Sequence, residues 1–127
     1  MKTRKPRRRL LLTKRALSDL AGIEAYSIAQ WGRRAATQYL KGIESGLRLI
    51  RDTPGILRTL DGMPSELQFH RVNKHWLVCD VAPRSIVVLT VIHASMDVPA
   101  RLAERVPQLA AEVALLHGQL ESTRNDV

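Results

Sequence analysis

LQFHRVNKHWLVCDVAPRSIVVLTVIHASMD, residues 67–97, decides the fold. Leu67–Val72 alternates apolar and polar residues, Leu67 and Phe69 against Gln68, His70 and Arg71. That is the period of a strand with one buried face. Trp76–Ala82 is a second strand, rich in bulky and β-branched residues. Ile86–His93 is a nearly unbroken apolar run, which suits a central strand covered on both faces. Asn73-Lys74 and Pro83-Arg84-Ser85 sit where turns belong. Turns this short favour an antiparallel meander, because a parallel crossover needs a dozen or more residues.

Helices must cover that sheet. Thr13 reads as an N-cap and Gly32 as a C-terminal stop, bounding a helix from Lys14 to Gln30 or Trp31. Its apolar face is Leu17, Leu20, Ala21, Ile28 and Trp31, widened by Ile23. A second helix runs from about Arg34 to Arg51 along Ala36, Tyr39/Leu40, Ile43, Leu47 and Ile50. It ends at Asp52-Thr53-Pro54-Gly55. The two form a hairpin. Leu10-Leu11-Leu12 is a short first strand, and Ile56–Glu66 is loop. Val98-Pro99 opens a last helix with Leu102, Val106, Leu109, Val113, Leu116 and Leu120 on one side; Pro107 kinks or restarts it. That apolar stripe is expected to fold back on the body.

The expected fold is therefore α+β: a small antiparallel sheet in the order β-α-α-β-β-β-α, packed against an N-terminal helical hairpin, with an extra C-terminal helix. The chain divides into a disordered basic arm at 1–9, one domain at 10–103, a helical extension at 104–121 and a frayed tail at 122–127.

Six positive charges fall within residues 1–9, out of a net +8 for the 127 residues, so the body carries only +2. The arm is a place for contact with nucleic acid or an acidic protein. The one cysteine, Cys79, excludes an internal disulfide and reads as a small buried hydrophobe. No apolar run approaches the roughly 18 residues of a membrane span. Leu10-Leu11-Leu12 is too short for the core of a signal peptide. A cytoplasmic location is expected. No histidine pair has helical i, i+4 spacing and no dense ligand cluster stands out, so no metal site and no cofactor are expected. A Ser95-His93-Asp97 triad can be written down, but triads are recognised by geometry and not by nearness in sequence.

Four stretches resemble the ParE branch of the RelE/ParE toxin superfamily of bacterial type II toxin–antitoxin modules. They are LTKRALSDLAGIEAY (Leu12–Tyr26), WGRRAATQYLKGIESGLRLIRDTPGI (Trp31–Ile56), VNKHWLVCDV (Val72–Val81) and VVLTVIHASMDVPARL (Val87–Leu102). Together they span roughly residues 10–103, in order and with matching gaps. The resemblance implies the same element order. It also implies a cytoplasmic, growth-arresting toxin that inhibits DNA gyrase by binding it and is neutralised by a cognate antitoxin. Its alternatives are a RelE-like endoribonuclease acting on mRNA, or an inactive relative kept as a binding module. Three departures bear on that choice: Gln68 replaces a frequent Arg, Cys79-Asp80 a frequent Tyr-Arg pair, and Thr90 the Arg before the family's Val-Leu-His.

Metal-free RNA cleavage needs a base for the 2′-hydroxyl, cations for the developing charge and an acid for the leaving oxygen. His70, Arg71, Lys74, His75 and His93 are the residues that could supply them. Partner binding rests on a different set. Arg33, Arg34, Arg48, Arg51, Arg58 and Arg71 suit an acidic antitoxin segment, and Trp76 suits an aromatic anchor.

Overall fold

The structure, a computed structural model, describes residues 8–125, with side chains for residues 8–118. In order, the elements are β1 (Arg9–Leu12), α1 (Lys14–Trp31), α2 (Arg33–Asp52), β2 (Leu67–Val72), β3 (His75–Val81), β4 (Ser85–His93) and α3 (Val98–Asn125). Residues 1–7 of the expected arm and the tail residues Asp126 and Val127 lie outside the described residues. Arg8 and Arg9, counted with the arm from sequence, are placed on the body. Arg8 Nε donates to the Pro83 carbonyl at 3.0 Å, and Arg9 opens β1 with its N–H on the Arg84 carbonyl.

The sheet order is β1-β4-β3-β2. The meander β2-β3-β4 is antiparallel, as its short turns require. One correction is needed at β1, which pairs parallel to β4, Leu10 against Ile86 and Leu12 against Val88, so the sheet is mixed. The physical reason is the connection. The chain leaves β1 into a 38-residue helical hairpin, long enough for a parallel strand to form. β4 is thus central, and eight of its nine residues are buried. Its side chains feed two cores. Ile86, Val88 and Val91 join Ala16, Ile43, Ile50 and Leu77 under the hairpin. Val87, Leu89 and Ile92 join Phe69, Val78, Leu102 and Leu109 on the other face.

Both hairpin helices are bounded as their capping residues dictate. The buried Thr13 hydroxyl accepts from the Ala16 N–H at 3.0 Å and donates to the Leu89 carbonyl at 2.7 Å. Gly32, at φ 87, closes α1 and opens α2 in a single residue, a left-handed conformation that glycine reaches without strain. The inward face of α1 differs from the one expected. Ala16 and Ser27 are buried and Leu20 and Ile23 half-buried, whereas Leu17, Ile28 and Trp31 stay in solvent. Helix α2 lies so near β2 that a Cβ on Gly46 would stand 2.5 Å from Val72 Cγ2.

α3 covers the face opposite the hairpin, as its apolar stripe predicts. Leu102 and Leu109 are buried and Val106, Val113 and Leu116 half-buried; the Leu120 side chain lies outside the described residues. The helix runs through Pro107 as one element, and Pro107 is exposed. Asp97 caps it by accepting from the Ala100 N–H at 3.2 Å. Polar groups fasten α3 along its length. Arg105 Nη1 donates to Thr90 Oγ1 at 2.6 Å and lies 3.5 Å from Asp19 Oδ2, and Glu112 Oε1 accepts from the Lys14 N–H at 2.8 Å. His117 bridges Asp80, at 3.0 Å, and the Ser85 hydroxyl. No described helix is long and apolar enough to cross a membrane.

Two glycine substitutions separate packing from propensity. Gly46→Ala forces a methyl onto the stiff Val72 side chain and is expected to lower stability by about 1–3 kcal/mol. Gly22→Ala, in open space within α1, is expected to raise it by about 0.4–1 kcal/mol. Denaturant unfolding of both variants checks the pair of signs.

Candidate functional site

The residues put forward from sequence divide between two regions. Arg48 pairs with Glu44, and Arg51 Nε lies 3.0 Å from Asp52, both in the second half of α2. Arg58 bridges to Phe69 through its backbone, beside the outer edge of β2. The others gather where the β2–β3 turn meets the first half of α2 and the end of β4.

Backbone geometry builds that second region. Asn73 takes a left-handed φ of 53 in the two-residue turn, which an asparagine tolerates. Lys74 then follows, and its carbonyl accepts from the Ala94 N–H at 2.7 Å. That bond carries the end of β4 to the turn, in register with His75 opposite His93. The two imidazoles stack edge to face at 5.0 Å. Tyr39 reaches over from α2 to His75 at 5.5 Å, Trp31 packs on Tyr39 at 5.9 Å, and Tyr26 on Trp31 at 6.2 Å. Five rings form one ladder from the surface of α1 to the end of the central strand.

The hydrogen bonds set the protonation of this ladder. Burial, with His93 adding to it, pushes the His75 pKa down to about 4, so the ring is neutral at pH 7. Burial raises the Tyr39 hydroxyl above its ordinary value, so it keeps its proton and donates to His75 Nδ1 at 2.5 Å. It also accepts from the Lys74 N–H at 3.4 Å. A neutral His75 that accepts at Nδ1 carries its proton on Nε2. His93 is held the same way: Nδ1 accepts from the Ser95 N–H at 3.0 Å and from the Ser95 hydroxyl at 2.6 Å. Neither ring offers a free lone pair for a general base, and neutral His75 supplies no positive charge.

The remaining ribonuclease residues do not converge on that pair. Arg71 turns back, Nε to the Asn73 carbonyl at 2.9 Å, with its guanidinium 5.6 Å above the Trp76 ring. Trp76 is half-buried, edge to face on Phe69, and so serves packing on the side away from the hairpin. His70 lies further down β2, opposite Leu77, with its pKa lowered by burial. Arg33 and Arg34 are exposed at the start of α2. The Ser95-His93-Asp97 arrangement does not form, since Asp97 caps α3 while Ser95 alone bonds His93. Cys79 is buried, and burial followed by the Asp80 charge pushes its thiol up to about 12, so it is inert.

Sequence reasoning missed a second polar cluster, around Asp19. Its carboxylate accepts from the Thr90 hydroxyl at 2.5 Å and the Val91 N–H at 3.0 Å, and pairs with Arg15 at 3.2 Å and Arg105 at 3.5 Å. Thr90 stands where the resemblance places an arginine, and here the guanidinium beside it comes from α3. Burial pulls the Arg105 pKa down from its ordinary value, against the opposing pull of Asp19. Its charge is committed to that carboxylate. No sequence signal marks the pairing, because Asp19 and Arg105 are 86 residues apart.

Among the described residues no group of three or more His, Cys, Asp or Glu side chains is placed to hold a metal ion. The arm's expected contact with nucleic acid falls mainly on residues 1–7, outside the described part of the chain.

Residues 10–98 match the model of the ParE toxin of type II toxin–antitoxin systems. The chain is 28% identical over 99 residues to Toxin ParE of Escherichia coli, across 76% of this chain and 94% of that one. It is 28% identical over 91 residues to Toxin ParE1 of Caulobacter vibrioides, across 72% of this chain and 94% of the relative. Among solved structures, a chain of the chromosomal ParDE system from P. aeruginosa superposes with a TM-score of 0.62 at 13% identity. That match spans 69% of this chain and 97% of the other, and it shows the shared fold. All but the first residue of α3 lies beyond the family match.

The buried imidazole has a measurable consequence. Unfolded His75 takes up a proton near pH 6.5, whereas the folded ring refuses it until about pH 4. The unfolded state therefore binds more protons in that window, and stability falls as pH falls through it. His70, also lowered by burial, acts with the same sign. Thermal unfolding between pH 7 and 4 is expected to show Tm dropping, with a shallower drop in His75→Gln. An equal drop in both proteins contradicts the assignment.

Proposed function

This chain belongs to the ParE toxin family of type II toxin–antitoxin systems, and from that premise we propose that it arrests growth in the bacterial cytoplasm by binding DNA gyrase and is neutralised by a cognate antitoxin. The gyrase target and the antitoxin rest on the family. What favours binding over cleavage is the state of the two histidines at the hairpin end. His75 and His93 both spend Nδ1 on local hydrogen bonds, from Tyr39 and Ser95. Phosphodiester cleavage needs a base and an acid that exchange protons with the substrate, and cations on the developing charge. The nearby cations do not supply it: Arg71 lies on Trp76 and Arg105 on Asp19.

A ParE-like toxin of this kind offers surface rather than chemistry. Exposed Arg33 and Arg34 flank the surface end of the ring ladder, and exposed Trp31 and Tyr26 supply large apolar area beside them. Aromatic and arginine side chains carry a disproportionate share of binding energy at protein interfaces.

Controlled expression of the chain alone tests the reading. Growth arrest with trapped gyrase–DNA breaks and intact transcripts is the expected result. Arrest with cleaved transcripts and unperturbed gyrase would overturn it in favour of the ribonuclease. Confirmed soluble protein with no arrest would leave a binding module without toxicity. In the expected case His75→Gln retains toxicity within about threefold, because no proton transfer depends on that ring.

A further inference from the structure

α1 carries two apolar stripes and the fold uses only one. The inward stripe is Ala16, Leu20, Ile23 and Ser27. About ninety degrees round the helix, Leu17, Ala21, Ile28 and Trp31 form a second, at the i, i+4, i+11, i+14 spacing that keeps residues in line. Leu17 is 56% exposed, Ile28 37% and Trp31 50%. At 1.5 Å per residue the stripe runs about 21 Å, six turns of a partner helix at most. The sheet offers no competing face, because α1 and α2 cover one side and α3 the other. α3 lies almost wholly beyond the family match, so this chain closes that second face with a segment of its own.

The charges along the stripe select its occupant. Exposed Lys14 and Arg15 stand at its start, exposed Arg33 and Arg34 follow its end, and exposed Glu24 lies in line with it at the middle. Arg15 is paired with Asp19; the side chains of Lys14, Glu24, Arg33 and Arg34 make no ion pair among the described residues. A second copy of this chain fits poorly. Two-fold pairing in either direction sets Glu24 against Glu24 and basic ends against basic ends, and like charges in contact are destabilising.

We propose that this outer stripe of α1 is the docking surface for an amphipathic helix of the antitoxin. The helix carries apolar anchors for Leu17, Ile28 and Trp31, acidic residues at both ends and a basic residue opposite Glu24. This rests on the antitoxin reading above and adds to it the surface and the charge pattern of the partner.

The test titrates the full-length chain with the purified antitoxin encoded beside it. Leu17→Glu combined with Ile28→Glu is expected to weaken binding by about 100-fold, and Glu24→Lys by about tenfold, with Tm unchanged because all three side chains are exposed. Binding of both variants within about threefold of the parent would place the antitoxin elsewhere and overturn the inference while leaving the antitoxin reading intact. Failure of the parent chain to bind would overturn both. Sedimentation of the free chain adds a further arm: a dimer dispersed by Leu17→Glu would assign the stripe to a second copy and overturn the proposal.

Discussion

The central strand has an edge that its neighbour does not finish. β1 pairs with β4 only as far as Val88. Past that point the Leu89 carbonyl and the Val91 N–H sit in the interior with no strand beside them. A buried backbone group left unpaired costs about 1–3 kcal/mol. Two side chains from α1 close the gap: the Thr13 hydroxyl takes the Leu89 carbonyl, and the Asp19 carboxylate takes the Val91 N–H. The helix therefore stands in for the missing half of a strand. Thr13 does this while also capping α1, so the start of the helix and the edge of the sheet are set by one residue.

Asp19 extends the same constraint to the far side of the molecule. A carboxylate at 10% exposure needs partners, and it has Arg15 from its own helix, Thr90 from β4 and Arg105 from α3. That cluster is where hairpin, sheet and C-terminal helix meet. Among the described residues no buried side-chain polar atom lacks a hydrogen bond. A protein arranged this way has its buried charges and rings committed to structure. What remains for function is outside: the open stripe of α1, the ring ladder that begins at its C-terminal end, and the exposed arginines beside it.

The meander was legible because strand period, a long apolar run and two short turns all point to one arrangement. Thr13 and Gly32 were legible as helix ends for the same local reason. The orientation of α1 was not. Its inward face uses Ala16 and Ser27, small residues that permit close packing but carry little hydrophobic signal, while its more apolar stripe faces water. The parallel pairing of β1 has no local signature, since the partner strand lies more than 70 residues away. The cluster around Asp19 and the His117 bridge to Asp80 and Ser85 join residues remote in sequence, and only the fold brings them together. At the hairpin end the right histidines stood out, but their hydrogen bonds changed what they can do. Tyr39, read as a core position on α2, proved to hold His75 in its neutral form.

A double-mutant cycle on Asp19 and Arg105 tests most directly whether this polar cluster joins the three layers. Asp19→Ala, Arg105→Ala and the double variant would be unfolded in denaturant beside the parent chain. The account predicts that Asp19→Ala is the most damaging single change, at about 3–4 kcal/mol, since it strands a backbone N–H and two guanidinium groups. It also predicts that the two substitutions couple by at least about 1 kcal/mol. Strict additivity, within about 0.5 kcal/mol, would mean that α3 is held by its apolar stripe alone and that the cluster is incidental to the fold.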